Sequence, residues 1–167
     1  LHYAPLAAFT GAANAGRQEE VLAICRAVFD GRGHSRYFND PVLLERRPGL
    51  DYILAVMQRN FEFIPPEQVF LALDRDASGP VVGFTVLGQK PGLLGKVYSQ
   101  LLSAVRPEHQ GRGIYYGLTR IMASTLSADI RLLNVTHAAN TAIQRAYHNS
   151  GRIRLADTLV YRRLLST

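Results

Sequence analysis

The stretch VYSQLLSAV followed by RPEHQGRGIYYGLTR, residues 97–120, constrains this chain more than any other. Nine residues that read as a strand, about the length that crosses a sheet, run into two glycines one residue apart. A helix-periodic stretch follows, with Leu118, Ile121, Met122 and Leu126 on one stripe. The order strand, Gly-x-Gly, helix matters more than the glycines alone. A helix start leaves backbone N–H groups unpaired and carries partial positive charge, so it accepts an anion readily. Gly111 and Gly113 permit a sharp turn and close approach to a ligand, while Gln110 and Arg112 add donors and charge. The bland alternative is a glycine-rich helix start that binds nothing.

Around this segment the chain alternates between helical and extended texture. Residues 1–16 are small and weakly patterned, a first strand and then a loop. Val21, Leu22, Cys25 and Val28 predict an amphipathic helix over 17–29. DGRGHSRYFNDP (30–41) reads as a loop, and Leu50, Ile53, Leu54, Met57 and Phe61 mark a second helix over about 48–61. QVFLALD (68–74), the turn RDASGP and VVGFTVLG (81–88) predict an antiparallel hairpin. The helix after the glycines spans 113–126, IRLLNVTH (130–137) is a strand, 140–149 a helix closed by Gly151, and TLVYRRLL (158–165) a last strand. The expectation is an α/β chain in an α+β layered arrangement: one domain over 1–167, with a central mixed, mostly antiparallel sheet flanked by helices. Its motif-bearing core would cover about 68–165, and residues 1–67 would form the acceptor side.

The totals narrow the function classes. Hydrophobic residues at 47% can fill one sizeable core, and charged residues at 19% are too few for a disordered tail or coiled coil. A single cysteine, Cys25, excludes an internal disulfide framework, and its apolar run VLAIC suggests a buried, inert thiol. No apolar run is long enough to span a membrane and no export signal is visible, so a cytoplasmic setting is expected. The net charge of +6 and pI near 9.8 point to an anionic partner. Its basic residues are scattered as pairs and singles without aromatic interleaving, which weakens the case for nucleic acid; a basic surface also suits an anionic small molecule such as a nucleotide, and the charge leaves the partner's size open.

Two familiar phosphate fingerprints fail here. A dinucleotide fold would need a third glycine where Tyr116 stands, and a Walker loop around Gly95–Lys96 would need glycine and Ser or Thr where Lys90 and Val97 stand. The pattern that fits is V-x-P-x-x-Q-G-x-G, met by Val105, Pro107, Gln110, Gly111 and Gly113. On these residues the chain resembles the GNAT superfamily of acyl-coenzyme A-dependent N-acetyltransferases. A second segment, NTAIQRAYHNSG (140–151), resembles the same superfamily by placing Asn140, Tyr147 and Gly151 at intervals of seven and four. Seven residues is two helical turns, so Asn140 and Tyr147 share a face. SRYFNDP (35–41), QRNF (58–61) and the closing TLVYRRL look like segments of the TDP-fucosamine acetyltransferase type, which acetylates a nucleotide-linked amino sugar.

The resemblance implies acetyl-CoA as co-substrate and no metal. It implies a coenzyme site of Ala104, Val105, Gln110, Gly111, Arg112, Gly113, Ile114, Tyr115, Asn140 and Tyr147. The turn would clasp the pyrophosphate, Asn140 would bond the pantetheine arm, and Tyr147 would protonate the departing thiolate. A backbone N–H near Leu102–Val105 would meet the oxyanion. The acceptor side is expected to use Arg36, Tyr37, Phe38, Tyr98 and Gln100. The strand at 97–105 has no carboxylate to act as base, and His34, His109, His137 or a water chain remain alternatives. Three departures stand out: Tyr115 where the family has Gly or Ala, Ile143 where many members have alanine, and Arg152 where a Phe often follows the glycine. The implied partner is a small-molecule amine, with a homodimer left open. A peptide amine as acceptor, or a coenzyme- or nucleic-acid-binding module without catalysis, are the competing readings.

Overall fold

The structure, a computed structural model, describes residues 1–29, 49–90, 97–126, 131–136, 138 and 140–155. Its sheet has five strands in the order β1 (His2–Pro5), β2 (Val69–Leu73), β3 (Val81–Lys90), β4 (Val97–Val105) and β5 (Arg131–Leu133). Each neighbouring pair is antiparallel except β4 and β5, which run parallel. The helices are α1 (Gly11–Phe29), α2 (Gly49–Phe63), α3 (Ile114–Thr125) and α4 (Thr141–Asn149). This is the mixed, mostly antiparallel sheet that the alternation of textures predicts. The expected strand at 158–165 lies outside the described residues.

Alternating side chains divide the sheet into two faces, and each face gathers its own core. Leu71, Leu73, Phe84, Val86 and Ala104 pack with Val21, Ile24 and Cys25 of α1 and with Ile53 and Met57 of α2. On the opposite face Phe70, Ala72, Val82 and Leu87 pack against Ile114, Leu118 and Met122 of α3. Burial pushes the Cys25 thiol up to about 12, so it stays protonated and inert, as its apolar run suggests.

Two boundaries depart from expectation: β5 ends at Leu133, where a strand running on to 137 is predicted, because the two parallel strands separate there, and α1 starts at Gly11 rather than near residue 17. Its small opening residues carry no stripe, so periodicity cannot see them. Tertiary contacts hold that turn instead. Asn14 donates to the carbonyls of Leu6 (3.3 Å) and Phe9 (3.1 Å), and Arg17 to those of Gly79 (2.8 Å) and Ala77 (2.9 Å).

Two irregularities shape β4. Val86 pairs with Leu102 and Leu87 with Gln100, so Leu101 is an unpaired bulge residue that turns the strand. Along its other edge, β4 pairs with β5 only from Val97↔Arg131 to Ser99↔Leu133. Beyond that rung the two parallel strands part, and from Gln100 to Val105 the far edge of β4 has no strand partner among the described residues.

Candidate active site

The fork between β4 and β5 opens onto the glycine turn. Arg106 anchors the turn to β3, its backbone N–H bonding the Val82 carbonyl (2.9 Å) and its Nε the Val81 carbonyl (2.8 Å). Gln110 Nε2 reaches back to the Val105 carbonyl (3.1 Å). Gly111 and Gly113 take φ of 75° and 74°, the left-handed region that disfavours a side chain. Among the described residues nothing lies within 4 Å of where a Cβ would stand on either one, so the turn presents an open surface to them. Gly113 is the N-cap of α3 and offers no side-chain cap, leaving the first-turn N–H groups of Ile114 and Tyr115 to an outside acceptor. Arg112 is exposed beside them, in contact with His109 Nδ1 (3.0 Å). Donors, a helix N-terminus and open approach suit a pyrophosphate. Gly117, one turn on, serves packing: a Cβ there would stand 2.2 Å from the Tyr3 ring.

A polar network fills the fork itself. Gln100 and Asn134 are the first residues past the last paired rung, and their side chains meet across the gap. Gln100 Nε2 donates to Thr85 Oγ1 (2.6 Å) and Ser103 Oγ (2.7 Å), and its Oε1 accepts from Tyr115 Oη (2.7 Å) and Arg152 Nη1 (3.4 Å). With its amide oriented to suit its neighbours, Asn134 donates to Gln100 Oε1 (3.3 Å) and accepts from the Arg152 guanidinium. No buried side-chain nitrogen or oxygen among the described residues lacks a partner, so the network closes on itself.

Tyr115, the bulky residue at a small-residue position, therefore turns its side chain onto β4 rather than over the glycines. Its ring lies 6.2 Å from that of Tyr147, tilted by 49°. Tyr147 is half-buried, and burial drives its phenol well above the ordinary range; Tyr115 raises it further, while Arg152 pulls it down. The phenol is thus protonated at neutral pH, the state a proton donor needs.

The chain brings Arg152 there through a helix ending. Gly151 N–H bonds the His148 carbonyl (3.0 Å) and Arg152 N–H the Tyr147 carbonyl (3.1 Å), the paired bonds of a Schellman ending with Gly151 left-handed at φ 75°. That motif folds the second residue past the helix back over the third from its end. The guanidinium carbon of Arg152 accordingly sits 4.7 Å from the Tyr147 ring centroid.

The fork thus gathers Gln100, Tyr115 and Tyr147 from the expected set, with the turn residues at its mouth. Asn140 caps α4, its Oδ1 accepting from Ile143 N–H (3.2 Å), two helical turns before Tyr147. Ala104 is buried toward α1 and α2, while Val105 and Tyr98 pack toward α3. Arg36, Tyr37, Phe38, His34 and His137 lie outside the described residues. Thr85, Ser103, Thr119, Asn134 and Arg152 are not singled out as site residues by sequence reasoning. Only Arg152 had a legible signal, its place after the terminal glycine. Among the described residues no group of His, Cys, Asp or Glu is placed to hold a metal ion, and no helix is long and apolar enough to cross a membrane.

No family model matches the sequence, and no curated protein matches it. Solved structures do match it. A chain of the NatC complex bound to Gag peptide and CoA superposes with a TM-score of 0.60 at 18% identity, over 93% of this chain and 86% of that one. The aminoglycoside acetyltransferase AAC(6')-Iy, in complex with a CoA-containing bisubstrate analogue, gives 0.59 at 16% identity over 90% and 93%. A ribosomal-protein-alanine N-acetyltransferase from Brucella melitensis gives 0.58 at 15% over 96% and 97%. At such identities the likeness is one of architecture, and in architecture the chain has the GNAT fold.

Proposed function

We propose that this protein transfers an acetyl group from acetyl-CoA to a primary amine of a small molecule, by direct attack of the amine on the thioester. One observation carries the reading. The forked edge of β4 has an anion-accepting glycine turn at one end and a protonated, half-buried tyrosine at the other. An extended acyl-pantetheine arm needs both, a seat for its diphosphate and a proton for its sulfur. The free edge of β4 between them would pair with the amides of that arm.

In this reading the backbone N–H groups at 111–115 hold the pyrophosphate, with Arg112 adding charge. The amine's lone pair forms a bond to the acyl carbon and the carbon–sulfur bond breaks. Tyr147 gives its phenolic proton to the sulfur and regains one, through solvent, from the positively charged nitrogen of the tetrahedral adduct as it becomes the neutral amide. A β4 backbone N–H in the Leu102–Val105 stretch stabilises the oxyanion. Coenzyme thiol and acetylated amine are the products, and no redox partner or metal enters.

For the acceptor we propose a nucleotide-linked amino sugar. The resemblance of SRYFNDP, NTAIQRAYHNSG and TLVYRRL to the TDP-fucosamine acetyltransferase type supports it, as does a net charge of +6, which suits an anionic acceptor. The likeness to the NatC chain and the ribosomal-protein acetyltransferase favours a second reading, a peptide amine.

The test is calorimetry with acetyl-CoA, then a thiol-release screen against amino-sugar nucleotides, polyamines, aminoglycosides and peptides. Binding should also raise the melting temperature, since a ligand of the native state alone stabilises it. No heat and no stabilisation would overturn the proposal. Thiol release with peptides alone would move it to the second reading.

A further inference from the structure

We propose that Arg152 is a positioning residue for Tyr147: its guanidinium, stacked on the phenol ring and bonded to the Gln100–Tyr115 network, holds the ring in the fork and stabilises the phenolate left when the proton has gone. The inference rests on the acetyl-transfer reading above and adds a residue to it.

The helix ending explains why position 152 meets Tyr147 at all. A Schellman ending brings the residue after the glycine onto the third residue from the helix end, usually as an apolar staple. An apolar side chain would satisfy the geometry. Here the staple is a cation whose fork of donors is also engaged: Arg152 Nη1 reaches Gln100 Oε1 (3.4 Å) and Tyr115 Oη (3.5 Å), and Nη2 reaches Thr119 Oγ1 (3.4 Å). Asn134 accepts from the same group. Three elements, β4, α3 and the segment after β5, are thereby tied to the ring face of one tyrosine.

The chemistry gives the cation something to do. Burial and the neighbouring Tyr115 both oppose loss of the Tyr147 proton, and Arg152 is the group that favours it. A free thiol ionises near pH 8.5, roughly, so a phenol pushed well above 10 would yield its proton to a thiolate only uphill. A cation against the ring lowers that slope at the moment the phenolate forms. Tyr115 from α3 and Arg152 are the ionisable side chains acting on Tyr147.

The experiment compares Arg152→Phe, which keeps an apolar staple, with Arg152→Lys, which keeps the charge. Arg152→Phe should melt near the parent and bind acetyl-CoA with unchanged affinity, yet lose about tenfold in kcat with KM for acetyl-CoA unmoved. Arg152→Lys should recover part of that loss. In a Tyr147→Phe background, Arg152→Phe should add nothing. Full activity in Arg152→Phe, or a loss that is carried in KM alone, would overturn the proposal.

A second measurement does not depend on turnover. In protein labelled with a polyfluorinated tyrosine, whose more acidic phenol brings the titration within the range the fold withstands, the Tyr147 resonance, identified by its loss in Tyr147→Phe, should titrate at higher pH in Arg152→Phe than in the parent. An unmoved titration overturns the role of Arg152 even if acetyl-CoA binds. Absence of acetyl-CoA binding in the parent overturns the acetyl-transfer reading, and the titration then decides the electrostatic tie between the two residues.

Discussion

The half of the molecule built on β1, β2, β3, α1 and α2 differs in kind from the half around the fork. Every residue of β2 is buried, whereas β5 leaves Arg131 and Leu133 exposed and α4 buries no residue fully. The first half is held by apolar area removed from water. In the second only α3 has such an apolar seat, and β4, β5 and the end of α4 are joined by hydrogen bonds among Gln100, Tyr115, Asn134 and Arg152, each contributing on the order of 1 kcal/mol net. Thr85 stands at the boundary, a fully buried residue of β3 whose hydroxyl meets both Ser103 and Gln100. Apart from Thr85, the polar groups of the fork are not enclosed as Phe84 and Met57 are.

Three measurements test that contrast, and the largest effect is expected in the apolar half. Phe84→Ala removes a fully buried ring between the sheet and its helices and should cost about 3–5 kcal/mol in urea unfolding. A loss under about 1 kcal/mol would mean that the two halves share stability evenly. Gly113→Ala places a side chain at φ 74° and should cost about 1–2 kcal/mol. The same variant should weaken acetyl-CoA binding measured by calorimetry, and unchanged affinity would take the turn out of the coenzyme site. Asn140→Ala removes the α4 cap and should cost about 1 kcal/mol, seen as faster amide hydrogen exchange in α4 with β2 and β3 unaffected. Faster exchange throughout would erase the distinction between the halves.

Legibility in the sequence follows the same division. The strand at 97–105 appears in the structure with those bounds, and α3 and α4 begin within a residue of expectation, because periodicity, glycine and capping signals are local. The start of α1 was not legible, since small residues carry no stripe and Asn14 and Arg17 hold it through distant carbonyls. Gln100 was legible as a polar residue on a strand but not as the hub between Thr85, Ser103 and Tyr115. That role depends on the bulge at Leu101, which shifts the register with β3. Arg152 was half-legible. The glycine before it announces a Schellman ending, and that ending alone predicts contact with Tyr147.

By itself the sequence determined the order of elements as far as α4, the sharp glycine turn before α3, and the helical spacing that puts Asn140 and Tyr147 on one face. These depend on backbone sterics and on periods of two to four residues, which any short window contains. Only the tertiary structure decided that β4 and β5 part after Ser99 and Leu133, and that Tyr115 swings onto Gln100. It also decided that the Arg152 guanidinium is tied into one polar network with Gln100, Tyr115 and Asn134. Those facts depend on which side chains compete for one small space between strands far apart in sequence, and no local pattern encodes the outcome of that competition.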